Sequence, residues 1–458
     1  MTGIRNETEL EDFLRGTNFL SASGGGEPAV QRELLLDDMT RGLKLFWTPL
    51  DEMDPDALIC TACFSGSIAP EVFEASPEAD LIAGPDRVRR PMVESIRALE
   101  VELGRKIDGI CSIEIGGINT SAVLDAAANL GIAMVDGDYA GRAIPELHAT
   151  TPHLFGVEVL PWASVDEYGN QIVIRKAASN AFAERIGKHL AQASFGLIGC
   201  ALVALPASEV KRIYVPGTIS ESLAVGRAIR EARDSGGDPV AAAARSLDGW
   251  VLFRGTIVER EWRNTGYLEG THVVEGEGAF AGHRLKVWFK NENHLSWLDG
   301  EEYVASPDLI EVCDGTTGEP LVNTYIKEGD RVAVVAARRR EVWNSEAGLA
   351  TLGPAHFGWN EFTYRPIEAL AGERACPSRP SIRSTQSPQR SSASARTALE
   401  RQPRSRDSTD WWSGRAVVGR STCRPTWCIS PTTTPSSPTW RITRGSGAPG
   451  RMACSCSR

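Results

Sequence analysis

Three stretches of the 458-residue chain hold residue types able to activate water or grip a small polar ligand. The first is Glu114-Ile115-Gly116-Gly117-Ile118-Asn119, at the end of an apolar run. Its glycines allow a tight turn with exposed N–H groups, and Asn119 is placed to open a helix whose N-terminus favours polar oxygen. The second runs from Asp136 through Asp138, Arg142 and Glu146 to His148. Glu114, Asp136, Asp138 and Glu146 are the candidate catalytic carboxylates, with Gly116, Gly117, Asn119 and Arg142 as ligand-binding groups. The third is the knot Lys290-Asn291-Glu292-Asn293-His294, either a hairpin turn or an active-site loop carrying Asn291 and Glu292. Gly24-Gly25-Gly26 adds a loop able to touch a substrate; it lacks the Lys-Ser/Thr of a phosphate-binding loop, so nucleotide binding is not expected.

Such residues must be held by something, and the surrounding pattern says what. Helices are expected over 7–15 and from just after Pro28 through Arg41, a strand over 57–64, a helix over 86–103, and a strand over 107–115. Asn119 is expected to cap a helix over 120–130, and a further strand starts at Ile132. Strand–helix–strand–helix–strand implies parallel strands with right-handed crossovers, whose C-terminal ends bind ligands. Glu114 and Asp136 would then sit on adjoining strand ends about 4.8 Å apart, close enough to share a proton, a water or a cation. With His148 nearby, a divalent metal that activates water is one expected cofactor, although no spacing requires it. Later segments read as helices over 177–190 and 220–235, then as strands over 250–262, 271–274, 284–290, 309–313 and 332–335. The fold class is therefore α/β: an N-terminal parallel-sheet domain (1–165), a second α+β domain rich in antiparallel β (166–370), and a tail (371–458).

That tail holds 15 Arg, no Lys and four acidic residues, with 17 Ser, and shows no periodicity. It is expected to be disordered, either as a basic arm or as GC-rich DNA read in the wrong frame. The whole chain carries a net charge of −10, which excludes broad electrostatic binding to nucleic acid or an anionic membrane. No run is long and apolar enough to span a bilayer, and the acidic, polar N-terminus is no secretory signal, so a cytoplasmic location is expected. Cys60-x-x-Cys63 lies inside the apolar run ALICTACF with no second pair, so its thiols are expected to pack as small hydrophobes.

Taken in order, GGGEP, IEIGGIN (113–119), DGDYAGRAIPEL (136–147), VPGT (215–218), KNEN (290–293) and SPDLIEV with TGEP (306–320) resemble the S-methyl-thiohydantoin desulfurase family. The resemblance covers about residues 5–370. This chain reads SASGGGEP where the family carries Thr and Asp, with Glu27 at the Asp position. The resemblance implies hydrolytic removal of sulfur, as a thiol, from a thiohydantoin ring to give the hydantoin. Hydantoin ring opening, or a non-catalytic accessory role beside a hydantoinase, remains open at the level of residues. The expected partners are a small cyclic ureide or thioureide and further copies of the chain.

Overall fold

In a computed structural model of the chain, the described residues are 2–66, 81–82, 86–264 and 266–373. The expected disordered tail lies outside them beyond residue 373. Two sheets dominate. The first has the strand order β1 (Thr2–Ile4), β2 (Leu45–Thr48), β5 (Ala133–Asp138), β4 (Gly109–Ser112), β3 (Leu58–Ser65), β8 (Ile198–Pro206), β6 (Trp162–Asp166) and β7 (Gln171–Ile174), with β9 (Val215–Pro216) paired to β5. The β2–β5, β5–β4 and β4–β3 pairs are parallel, as the strand–helix alternation requires. The long apolar strand β8 joins antiparallel to β3, with Cys63 opposite Cys200. This sheet thus draws strands from as far along the chain as Pro216.

The second sheet is antiparallel throughout, in the order β14 (Glu301–Ala305), β13 (Glu292–Leu298), β12 (Arg284–Lys290), β11 (Leu268–Gly276), β10 (Trp250–Asn264), β16 (Arg331–Ala337) and β15 (Leu309–Asp314). Its inward side chains, among them Phe253, Val287, Ile310 and Val334, form a core of their own. The fold class therefore matches the expectation from sequence. No helix of the described residues is long and apolar enough to cross a membrane.

The helices are α1 (Glu7–Phe19), α2 (Ala29–Thr40), α3 (Pro91–Leu103), α4 (Gly117–Leu130), α5 (Asn180–Ala193), α6 (Thr218–Asp234), α7 (Pro239–Ser246) and α8 (Glu346–Leu352), with shorter turns between. Two starts that differ from the sequence reading have a local cause. Helix α3 starts at Pro91 rather than residue 86, because Pro disfavours helical backbone at Arg90 and is itself well placed at the first helical position. Helix α4 starts at Gly117 with Gly116 as its cap, so Asn119 lies inside the first turn and its side chain is free for other work. Gly104 and Gly131 close α3 and α4 in left-handed conformation, which glycine adopts without strain. Helices α1 and α6 cross at backbone contact: a Cβ on Gly16 would stand 1.6 Å from Ser222 O, and one on Gly226 1.7 Å from Asp12 O. Cys60 is fully buried among Leu58, Ala62 and the α3–α4 face, and Cys63 is buried on the opposite face.

Candidate active site

Beyond Ser112 the chain leaves β4 and places Glu114 just before the cap of α4. Ser112 Oγ and Thr120 Oγ1 both donate to Glu114 O, at 2.6 and 3.2 Å, and pin the backbone there. The Glu114 carboxylate is buried and accepts two hydrogen bonds, from Asn119 Nδ2 at 2.7 Å and from Ile144 N at 2.6 Å. Burial outweighs both bonds and pushes its pKa up to about 7. Asn119 in turn accepts from Phe64 N at 2.8 Å, so one amide ties the end of β3 to the Glu114 carboxylate. A helix cap would not have produced that bridge.

The Gly24–Gly25 loop lies against this turn. Ile118 N donates to Gly25 O at 3.0 Å, and a Cβ on Gly25 would stand 2.7 Å from Gly116 Cα. On Gly24 it would stand 2.5 Å from Glu292 Oε1. The glycines are there because two backbones and a carboxyl approach too closely for a side chain, not to cradle phosphate. Glu27, by contrast, is solvent-exposed and lines a separate cleft with Asn18 and Glu319.

The opposite wall comes from the second sheet. The knot at 290–294 is the tight β12–β13 turn, with Asn291 at φ 58 and locked to Leu268 by paired bonds (Asn291 N to Leu268 O, 2.6 Å; Leu268 N to Asn291 Oδ1, 2.9 Å). Glu292 follows it into the interior. Its Oε2 has no hydrogen-bond partner among the described residues, and burial together with the neighbouring Glu114 charge raises its pKa well above the carboxylate range. From α5, Lys188 brings an ammonium whose pKa burial lowers. It stands 3.7 Å from the Tyr267 ring centroid and 3.9 Å from Glu184 Oε1.

Gly24, Gly25, Glu114, Asn119, Glu146, Asn291 and Glu292 thus line one cavity, with Cys63, Phe64, Trp162, Glu184 and Lys188. The empty space among these residues is about 740 Å³, counted out to the open mouth. Gly116 and Gly117 stand behind this wall, and Gly26 at φ 75 carries the loop away.

The remaining sequence candidates are placed differently. Asp136 accepts from Ser220 N at 3.0 Å and Ser220 Oγ at 2.6 Å, holding the start of α6. Asp138 accepts from Ala140 N, Gly141 N and Thr218 Oγ1 at 2.9, 2.6 and 2.8 Å. Neither lines the cavity, and the expected Glu114–Asp136 partnership is replaced by these separate sets of bonds. Although β4 and β5 are neighbours, the register slips between Ile110 and Ser112, and Asp136 is drawn to Ser220 instead. Buried Arg142 donates to three carbonyls, of Ala143 (3.1 Å), Asp308 (3.0 Å) and Asn293 (2.6 Å), and so braces the wall rather than facing a ligand. Sequence reasoning missed Glu184 and Lys188, whose i, i+4 spacing on α5 resembles any solvated helix pair, and His356, which comes from 210 residues beyond Glu146.

The fold is similar to the crystal structure of a protein from Chromobacterium violaceum solved by a structural genomics consortium, with a TM-score of 0.63 and 21% identity over 79% of this chain and 98% of that one. No curated protein matches the chain. The S-Me-THD-like N-terminal domain matches residues 8–176 and the S-Me-THD-like C-terminal domain residues 178–367, so nearly all of the described structure, and both walls of the cavity, fall within them. The chain belongs to the S-Me-THD-like family.

Proposed function

We propose that the chain is a hydrolase that removes the methylthio group of an S-methyl-thiohydantoin as methanethiol and leaves a hydantoin. The observation that carries this reading is the pair of buried carboxyls on one cavity, Glu114 with a pKa of about 7 and Glu292 with a pKa well above normal. Near pH 7 such a pair offers one base and one acid, the division of labour that hydrolysis at a C=N carbon needs.

A water oxygen adds to ring carbon C2 while its proton passes to Glu114, and the ring nitrogen of the C2=N bond takes the proton of Glu292. The tetrahedral centre then carries OH and SCH₃. Its collapse breaks the C–S bond: the hydroxyl proton returns to Glu292, and the thiolate leaves with the proton held by Glu114. Both carboxyls regain their starting state, and one water is consumed per methanethiol released. Lys188, on the same cavity, would offset negative charge at this centre.

The test is to incubate the full chain with 5-substituted S-methyl-thiohydantoins in ¹⁸O-water, following thiol release and the mass of the ring product. Methanethiol with one ¹⁸O in an intact hydantoin is expected. Ring opening without thiol, or binding without turnover, would overturn the reading in favour of a hydantoin hydrolase or an accessory protein.

The rate should rise with pH through about 7, as Glu114 loses its proton, and fall at higher pH as Glu292 loses its own. Asn119 acts as a positioning residue. Its amide stabilises the charged form of Glu114, so Asn119→Ala should move the acid limb of kcat/KM upward by about one pH unit. An unmoved limb with a merely lowered rate would show that Asn119 only shapes the backbone.

A further inference from the structure

Beside the carboxyl pair, a second cluster gathers residues from distant parts of the chain. Glu146 and His148 lie on the segment after β5, and His356 on the short turn Pro354–Phe357. The Nε2 atoms of His148 and His356 lie 2.8 and 3.0 Å from Glu146 Oε2, and one ligand atom from each residue falls within 4.8 Å of the others. We infer that Glu146, His148 and His356 form a binding site for a divalent transition-metal ion of the zinc class.

Three observations support it. Two imidazoles and a carboxylate converging on one point are the donor set of zinc sites with three protein ligands and an open position, and imidazole disfavours calcium or magnesium. His148 Nδ1 stands 3.2 Å from Glu184 Oε2, a carboxylate able to accept from this nitrogen, which in that tautomer leaves Nε2 to offer its lone pair inward. That is the outer-sphere arrangement by which metal-binding histidines are oriented. The cluster is also accessible, because Glu146 lines the cavity described above and His148 an adjoining cleft of the same wall. Lys290 Nζ pairs with the other oxygen of Glu146, so an ammonium already sits where positive charge is favoured and would compete with an ion. Binding does not depend on which substrate the protein takes, while an ion here would face the same cavity as Glu114.

The full chain, stripped with a chelator and dialysed, is titrated with Co²⁺ alone and followed by visible absorption and calorimetry. One equivalent is expected, with the intense bands of low-coordinate Co²⁺ and displacement by Zn²⁺. His148→Ala and His356→Ala should each weaken binding by at least about a hundredfold, and Glu184→Gln by about tenfold, with circular dichroism unchanged. Should the alanine variants fold poorly, Lys290→Met supplies the independent check: losing the competing ammonium should tighten Co²⁺ binding by at least about threefold. Absence of a stoichiometric site, binding that survives His356→Ala, or weaker binding in Lys290→Met would each overturn the inference. No substrate enters these measurements, so a failed desulfurase assay leaves their outcome intact.

Discussion

Glu114→Gln is expected to lower methanethiol release by at least about a hundredfold, the range for loss of a positioned general base. The amide cannot take a proton from water, yet it matches the carboxylate in size and fills the same space. The effect should fall on kcat, since an uncharged group of equal shape still lines the cavity. Turnover within about threefold of the parent would put the base elsewhere, with Glu292 next in line.

The same substitution has a stability signature that activity cannot mimic. A carboxyl raised from 4.5 to about 7 by burial holds its proton more tightly when folded, and that stabilisation is complete below about pH 4.5. It is lost as pH rises to about 7, a change of roughly 3 kcal/mol across the window. The parent should therefore lose stability between pH 4.5 and 7 through this group, and Glu114→Gln should not. The absolute offset has a separate cause: Ile144 N and Asn119 Nδ2 both donate to Glu114, and an amide presents its own donor to one of them. The pH dependence is the diagnostic quantity, measured by urea unfolding at several pH values.

The second large effect lies outside the cavity. In an exposed helix interior, replacing Gly by Ala gains about 1 kcal/mol in propensity. At Gly16 and Gly226 the sign should reverse, because the added Cβ would meet a carbonyl oxygen of the opposing helix at 1.6–1.7 Å. The oxygen belongs to backbone, and the crossing is fastened beside it by fully buried Asp12, which accepts from Arg230 Nε and Nη2 at 2.9–3.0 Å. Neither helix can slide away without breaking that pair. Gly226→Ala is expected to cost at least about 3 kcal/mol and Gly226→Val to abolish soluble expression. A urea midpoint equal to the parent's would show that the helices part freely. The crossing matters for the site because α1 feeds the Gly24–Gly25 loop while the start of α6 holds Asp136 and Asp138.

The parallel β3–β4–β5 unit was legible in the sequence because its information is local: apolar runs of strand length, one amphipathic helix, and glycines at both helix ends. Glu114 was legible for the same reason, being the polar residue at a strand end. The bonds of Asp136 and Asp138 were not, since their partners Ser220 and Thr218 lie about eighty residues on. The insertion of β8 beside β3 was equally hidden, because a uniformly apolar strand buried on both faces carries no alternation. Lys188 and His356 are single residues whose meaning arises only from what tertiary packing places next to them.

Arg142 has a consequence for how a ligand gets in. Its guanidinium joins the segment after β5 to the carbonyls of Asn293, in β13, and of Asp308, just before β15, and Ala22 O and Ser23 O accept from Asn293 N and Asn323 N, both at 2.8 Å. Among the described residues, the two family domains are thereby stitched together beside the cavity. A ligand entering this cavity would meet walls that these bonds already hold in place, which lowers the ordering entropy charged to binding. The stitching also makes the two halves interdependent. Expressed apart, each would expose the backbone groups that the other satisfies, so shuffling one half between relatives would have to carry these stitches along.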